Sequence, residues 1–378
     1  MIPSMKTHLL AFHADYRCRN TGVCCSAGWP IPVERPVHQR LLHDLACGAL
    51  KAPDPPVAAS DLFRIDLPKP EDAGAILGHD ARGRCLFLEA SDLCTVHRQC
   101  GEGALPGACR HFPRVCTLRP HGVFITLSHF CPTAAAMLFR EDADAAIVTD
   151  LAAFPPDREY EGLDARDTFP PLLRPDAIMD WTSFERWERH CVTMLTRADI
   201  TPDQALDVLD RDTVRACAWR DAEGSLSGWI ASIADNASEV RAPSPPTANE
   251  CIGSLRVAES CVPDHLRKPF DVAGLSDEPV LESWETFRLP IGRFLAAHAF
   301  ANWTACQGQG LWAMHRSLVC TRDVLFAHCA LQCAKAACPH DRELLTQAFR
   351  ATDLLLIHHA APDALAARFS AAALRLHR

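Results

Sequence analysis

The chain has no run of about 18 consecutive apolar residues, the length a helix needs to cross a bilayer, so no membrane span is expected. Its opening stretch, MIPSMKTHLLAFHADYRC, carries one lysine and a short apolar run broken by His13 and Asp15. The long apolar region and small-residue cleavage site of a secretory signal are missing, and a cytoplasmic location is expected. Long Lys/Arg runs are absent too, and the formal net charge is -9, so the concentrated basic patch of a nucleic-acid binder is not indicated. A mildly acidic surface suits a lysine-bearing protein partner as well as plain solubility. No G-x-G-x-x-G occurs, which leaves the glycine-rich strand–loop–helix that cradles a nucleotide without support. No fixed-period repeat is present.

What the chain has in abundance is cysteine: 19 in 378 residues, an odd number, with ten of them before residue 132. Thiols in a reducing compartment are not mainly disulfides. A dense cluster there reads as metal-binding or catalytic. Hydrophobic residues make up 48%, enough at this length to bury the core of one large domain or two medium ones.

The organisation along the chain divides at about residue 150. Before it, short apolar runs alternate with turn residues. Residues 34–50 have helical spacing through Val37, Leu41, Leu42 and Leu45, and LFRIDLP (62–68) has the look of a strand. Residues 114–128 predict a hairpin turning at Arg119-Pro120-His121-Gly122, followed by a helix with Pro132 in its first turn. Residues 151–178 hold five prolines and predict a surface linker. Beyond it, helix formers dominate. One stretch places Trp181, Phe184, Trp187, Cys191 and Leu195 on one side, and another opens with Thr201 as N-cap and Pro202 at the first helical position. Four more helical stretches follow a second loop at 241–250.

Seven cysteines form a pattern: Cys18-x5-Cys24-Cys25, Cys85-x8-Cys94, Cys109 and Cys131. Their settings, GRCLFLEASDLCTVH, LPGACRHFPRV and SHFCPTAA, put each thiol at a turn close to Gly or Pro. A metal site needs such bends, because the backbone must aim several sulfurs at one point. Gly22 allows a positive-φ approach to Cys24. Thiolates are soft ligands that suit zinc, Cu(I) and iron–sulfur clusters. An isolated free cysteine is usually a small buried hydrophobe; seven in turn contexts favour a metal site. The spacing is neither the C-x2-C…C-x2-C of a zinc ribbon nor the run of bacterial ferredoxins.

The order C…G-x-C-C…C-x-F-L…C-x-V…LP-x-x-C-x-x-FPR…CP resembles the zinc- or iron-chelating cysteine-cluster family. CC..GW.I.V and LSHFCPTAA look most like its flagellin lysine-N-methylase branch. The resemblance covers residues 16 to about 136, with little beyond RATDLLLIHHA matched afterwards. It implies metal ligation by Cys18, Cys24, Cys25, Cys85, Cys94, Cys109 and Cys131. It also implies an iron–sulfur cluster ([4Fe-4S] foremost) or zinc and, for the methylase branch, S-adenosylmethionine and a lysine-bearing protein substrate such as flagellin. Thr21 stands where the commoner opening has a further cysteine, so two complete four-thiolate sites cannot be made from the seven. His97, His111 or His129 could fill a gap, although each is more often a packing or surface histidine.

Weaker features remain. Cys320, Cys329, Cys333 and Cys338 approach a radical-enzyme spacing but are one residue too long, and core packing suits them better than a second metal site. His359, ending an apolar helix beside His358, is a candidate base for a lysine amine, whose pKa of about 10.4 must be overcome; a helix C-terminal histidine is the commoner role. Trp29 and Phe112 are expected to pack over the thiols. Arg110 and Arg114 would offset thiolate charge or be solvated. The expected fold is mainly α: a cysteine-cluster segment of loops, short strands and a hairpin over 1–150, and a helical domain over 151–378. The function is either a metal-centre protein-lysine N-methyltransferase or a non-enzymatic iron–sulfur or zinc protein for electron transfer, metal handling or fold stabilisation.

Overall fold

A helix that is apolar on every side has to be buried, and Leu311–Ala336 is such a helix: Leu318, Val324, Leu325, Phe326, Cys329 and Leu331 are all sealed from solvent. Helices Ala248–Ser260, Arg342–Asp353 and Pro362–Leu376 pack around it. The computed structural model describes residues 6–376 apart from 52, 54–56, 143–144, 150–159, 243–245, 268–269, 271, 273–275, 277 and 339. Helix accounts for 52% and strand for 12%, so the fold is mainly α with short strands. None of the described helices is long and apolar enough to cross a membrane.

The helix starts follow local chemistry. Asp180 accepts from the Ser183 amide ahead of Trp181–Leu195. Thr201 forms a capping box with Gln204, and Pro202 fills the first position of Pro202–Cys217, where its missing N–H costs nothing. Thr247 and Glu250 repeat the box ahead of Ala248–Ser260. The predicted apolar stripe holds, with Trp181, Phe184, Trp187, Cys191 and Leu195 all buried.

Two compact units divide the chain. One comprises Met1–Tyr16, Val115–Phe130 and Ala134–Arg378; the other comprises Arg17–Arg114 and Cys131–Thr133. This is not the expected division at residue 150. The predicted hairpin forms, as Arg114–Arg119 and Gly122–Leu127, but its second strand pairs in parallel with Thr7–Leu10, Thr7 opposite Val123. The sheet order is Ile147–Thr149, Thr7–Leu10, Gly122–Leu127, Arg114–Arg119, Leu163–Asp164. These strands therefore belong with the helices. The predicted linker lies partly outside the described residues. Within them, Leu163–Asp164 joins the sheet edge, Leu172–Arg174 pairs with Ala177–Ile178, and Ala165 and Leu173 are buried. Among the described residues, Pro175 lies in the turn between these last two short strands.

The second unit holds a three-stranded antiparallel sheet in which Ala73–Leu77 lies between Pro32–Glu34 and Phe63–Arg64. Helix Arg35–Cys47 covers it, and Val33, Leu41, Phe63, Ile76 and Phe87 supply its buried interior. The strand expected over 62–68 stops at Arg64, where Arg64 pairs with Asp66 at 2.7 Å and Ile65 faces solvent. The helix after Cys131 ends early, at Met137.

One buried ion pair ties the sheet to the helices in the larger unit. Arg119 donates through both terminal nitrogens to the two Glu188 oxygens at 2.8 Å, and both side chains are essentially unexposed. The guanidinium also lies 4.1 Å from the Phe124 ring centre, while a Glu188 oxygen accepts the Ala301 amide at 2.9 Å. Removing one partner strands a charge where water cannot reach it. Glu188→Leu should cost about 3–5 kcal/mol in urea unfolding, and adding Arg119→Met should restore a large part of that. Additive losses in the double variant would show that the pair does not act as a unit.

Candidate metal centre

Gly22 sits at φ +67°, and a Cβ there would lie 2.1 Å from the Asp92 carbonyl oxygen. Only glycine fits. Its bareness lets the turn that carries Cys24 and Cys25 lie directly against the turn between Cys85 and Cys94. That second turn is closed by bonds from Leu88 N to Cys85 O and from Glu89 N to Leu93 O, with Asp92 itself at φ +59°. The Cys85 amide then donates to the Cys25 carbonyl at 2.7 Å, locking the two turns together. Cys109 arrives on the short helix Gly107–His111, whose first amide donates to Glu34 at 2.7 Å.

Five thiols converge as a result. The Cys24 and Cys25 sulfurs are 3.9 Å apart, and Cys94 lies near enough to act on both. Bonding to Cys24 and then Cys94 pushes the Cys25 thiol up, while the same bonds hold Cys24 and Cys94 down, Cys94 to about 7. The proton stays on Cys25. The Val96 and His97 amides add to the lowering at Cys94. Burial drives Cys85 up to about 12 and Cys109 well above its usual range, and the neighbouring thiols Cys24 and Cys94 act on both in the same direction.

Five soft donors held this way fit a metal centre. One tetrahedral zinc sets its sulfurs about 3.8 Å apart, and the Cys24–Cys25 pair matches one such edge. No three of the five sulfurs lie within 4.8 Å of one another; among the described residues the one trio that tight is exposed His43, Asp44 and Cys47. The His43 trio escaped the sequence reading, although the i, i+4 spacing of His43 and Cys47 could have flagged it.

The other sequence candidates fall in several places. Cys18 and Cys131 belong to the same unit as the five. Cys18 is exposed and its sulfur accepts the Asn20 amide at 3.3 Å; Cys131 is buried. Of the histidines, His97 is half-buried and His111 buried within this unit. His129 lies in the larger unit, fully buried, with Nδ1 3.1 Å from Asp353 and Nε2 3.2 Å from His13. Arg110 is half-buried and donates to the Leu105 carbonyl at 2.7 Å. Trp29 and Phe112 pack on each other with ring centres 5.6 Å apart. Cys320, Cys329 and Cys333 line the buried side of their long helix, and Cys338 is exposed. All 19 cysteines are free. His359 is half-buried at the end of the π-helical turn Leu354–His359; its neighbour His358 meets Ser128 Oγ at 2.7 Å.

Comparison with protein-family models, with curated proteins and with solved structures finds no match to this chain.

Thiolates, not thiols, are the nucleophiles. In reduced protein stripped of metal, iodoacetamide should therefore modify Cys94 ahead of Cys85 and Cys109, with a rate that rises through about pH 7. Peptide mapping by mass spectrometry would read the order; earlier labelling of Cys85 would contradict this geometry.

Proposed function

We propose that the smaller unit is the holder of an iron–sulfur centre, with Cys24, Cys25, Cys85, Cys94 and Cys109 as its donor set and Cys18 and Cys131 as further candidates. The convergence of five thiols from three separated stretches of sequence carries this reading. Burial of a lone cysteine needs no such meeting. Five unmetallated thiols in one place would leave Cys24 and Cys94 drawn toward the anion with only the Cys25 proton between them. A metal is the natural partner for such a set, and the chemistry requires reduced thiols, hence a reducing compartment such as the cytoplasm.

The resemblance of the cysteine order to the flagellin-methylase branch extends the proposal to an activity. On that reading the chain moves a methyl group from S-adenosylmethionine to a lysine side chain of a protein such as flagellin. The helices of the larger unit supply surface that a bare metal carrier would not need. The second reading is a non-enzymatic metal protein, and the missing glycine-rich nucleotide loop is the observation that favours it.

Protein purified without air should carry iron and sulfide and absorb in the visible, and Cys24→Ser/Cys25→Ser should lose both and melt at a lower temperature. Unchanged metal content and melting temperature in that variant would remove the metal proposal. Calorimetry of metal-loaded protein against S-adenosylmethionine separates the two readings. Binding supports the methyltransferase, and none at millimolar ligand leaves the metal carrier.

A further inference from the structure

The larger unit contains a cleft with a volume of about 100 Å³. An apolar cavity of about 150 Å³ takes one benzene ring, so this cleft has the scale of a single-ring molecule. Strand Gly122–Leu127, helix Arg288–Ala299, helix Leu311–Ala336 and the π-helical turn each contribute to its wall, and π turns recur at functional sites. Leu127, Phe300, Trp303, Leu356, Leu365 and Phe369 make the lining largely apolar. Most polar groups in the wall are already committed. Thr126, Ser317 and Thr321 donate to the carbonyls of Ala297, Met314 and Ser317, and the Trp303 indole donates to Cys116 O at 3.0 Å.

His298 keeps one ring nitrogen uncommitted. Its Nε2 meets Asp353 Oδ1 at 2.7 Å, and the Asp353 carboxylate is fully buried. The other Asp353 oxygen takes both the His129 amide and His129 Nδ1. A carboxylate that only accepts obliges His298 to carry its proton on Nε2. Nδ1 is left over, and no described residue hydrogen-bonds it. No Asp, Glu, Lys or Arg lines the cleft. A cationic occupant would find no counter-charge there.

We propose that this cleft binds a small, uncharged, largely apolar molecule bearing one hydroxyl, which hydrogen-bonds His298 Nδ1 while Asp353 holds the ring in place. The site is independent of the thiol constellation, so its failure leaves the metal reading untouched.

Phenol and toluene are suitable probes, alike in body and different in the one donor. Calorimetry or ligand-observed NMR on the full chain should show phenol binding roughly tenfold tighter than toluene, the worth of one neutral hydrogen bond. His298→Leu should bring the two to parity by weakening phenol alone. Leu365→Trp fills the cleft without touching the histidine–aspartate pair and should abolish binding of both. No binding of either probe at millimolar concentration, or a phenol preference that survives His298→Leu, would overturn the proposal. Should His298→Leu not fold, Leu365→Trp decides: loss of phenol binding supports the site, and unchanged binding refutes it.

Discussion

Cys25 is the residue on which the arrangement of the smaller unit turns. Its sulfur meets that of Cys24 and lies beside Cys94, and its carbonyl accepts the Cys85 amide. One residue thus fixes the register between two turns more than fifty residues apart in the chain. The contact exists only because Gly22 presents no side chain to Asp92. A hydrogen-bonded thiol between two thiolate-leaning neighbours is an awkward group to bury without a metal, since charge removed from water must be paired. The same backbone that brings the sulfurs together therefore makes a cation their best companion.

The larger unit solves a different problem. Its interior is apolar and continuous, yet it encloses Arg119, Glu188, Asp353 and several histidines. Each is admitted with its partners: Arg119 with Glu188 and the Phe124 face, Asp353 with His129 and His298. Burial alone would push the Asp353 carboxyl up; the two histidines hold it well below the ordinary carboxylate range. Burial likewise presses His13 well below its usual value, with His129 beside it acting in the same direction. Asp353 thus holds His129 on one side and His298 on the other, and its hold on His298 Nε2 leaves Nδ1 as the ring nitrogen available to the cleft.

Local chemistry was legible in the sequence, and long-range pairing was not. Thr201-Pro202, the Trp181 stripe and the hairpin over 114–128 each depend on neighbours within a few residues, and each formed as read. Gly22 announced its backbone geometry because no other residue would serve. The parallel pairing of Thr7–Leu10 with Gly122–Leu127 has no local signature, and missing it misplaced the unit boundary. His129 takes the commoner of its two readings, a packing histidine, but its partner was not legible. Its neighbour Cys131 carries the motif, while its partner Asp353 lies more than two hundred residues away. The run of apolar residues that announced a helix at 354–359 hid a π turn, and with it one wall of the cleft.

The connectivity gives the two units unequal roles. The chain leaves the sheet after Thr7–Leu10, makes the smaller unit between Arg17 and Arg114, and re-enters the same sheet through the hairpin. Because Thr7 pairs with Val123, both ends of that excursion are anchored by ladder hydrogen bonds. The entropy of closing the excursion is thereby met by the sheet, and it grows only slowly with loop length. The smaller unit is then left to order its own interior, with a modest apolar cluster around Val33, Leu41, Ile76 and Phe87 and a set of thiols beside it. An ion bound there would add its binding free energy directly to the folding free energy of the unit. The larger unit, built on a continuous core, needs no such help, and it can keep a cleft open at His298.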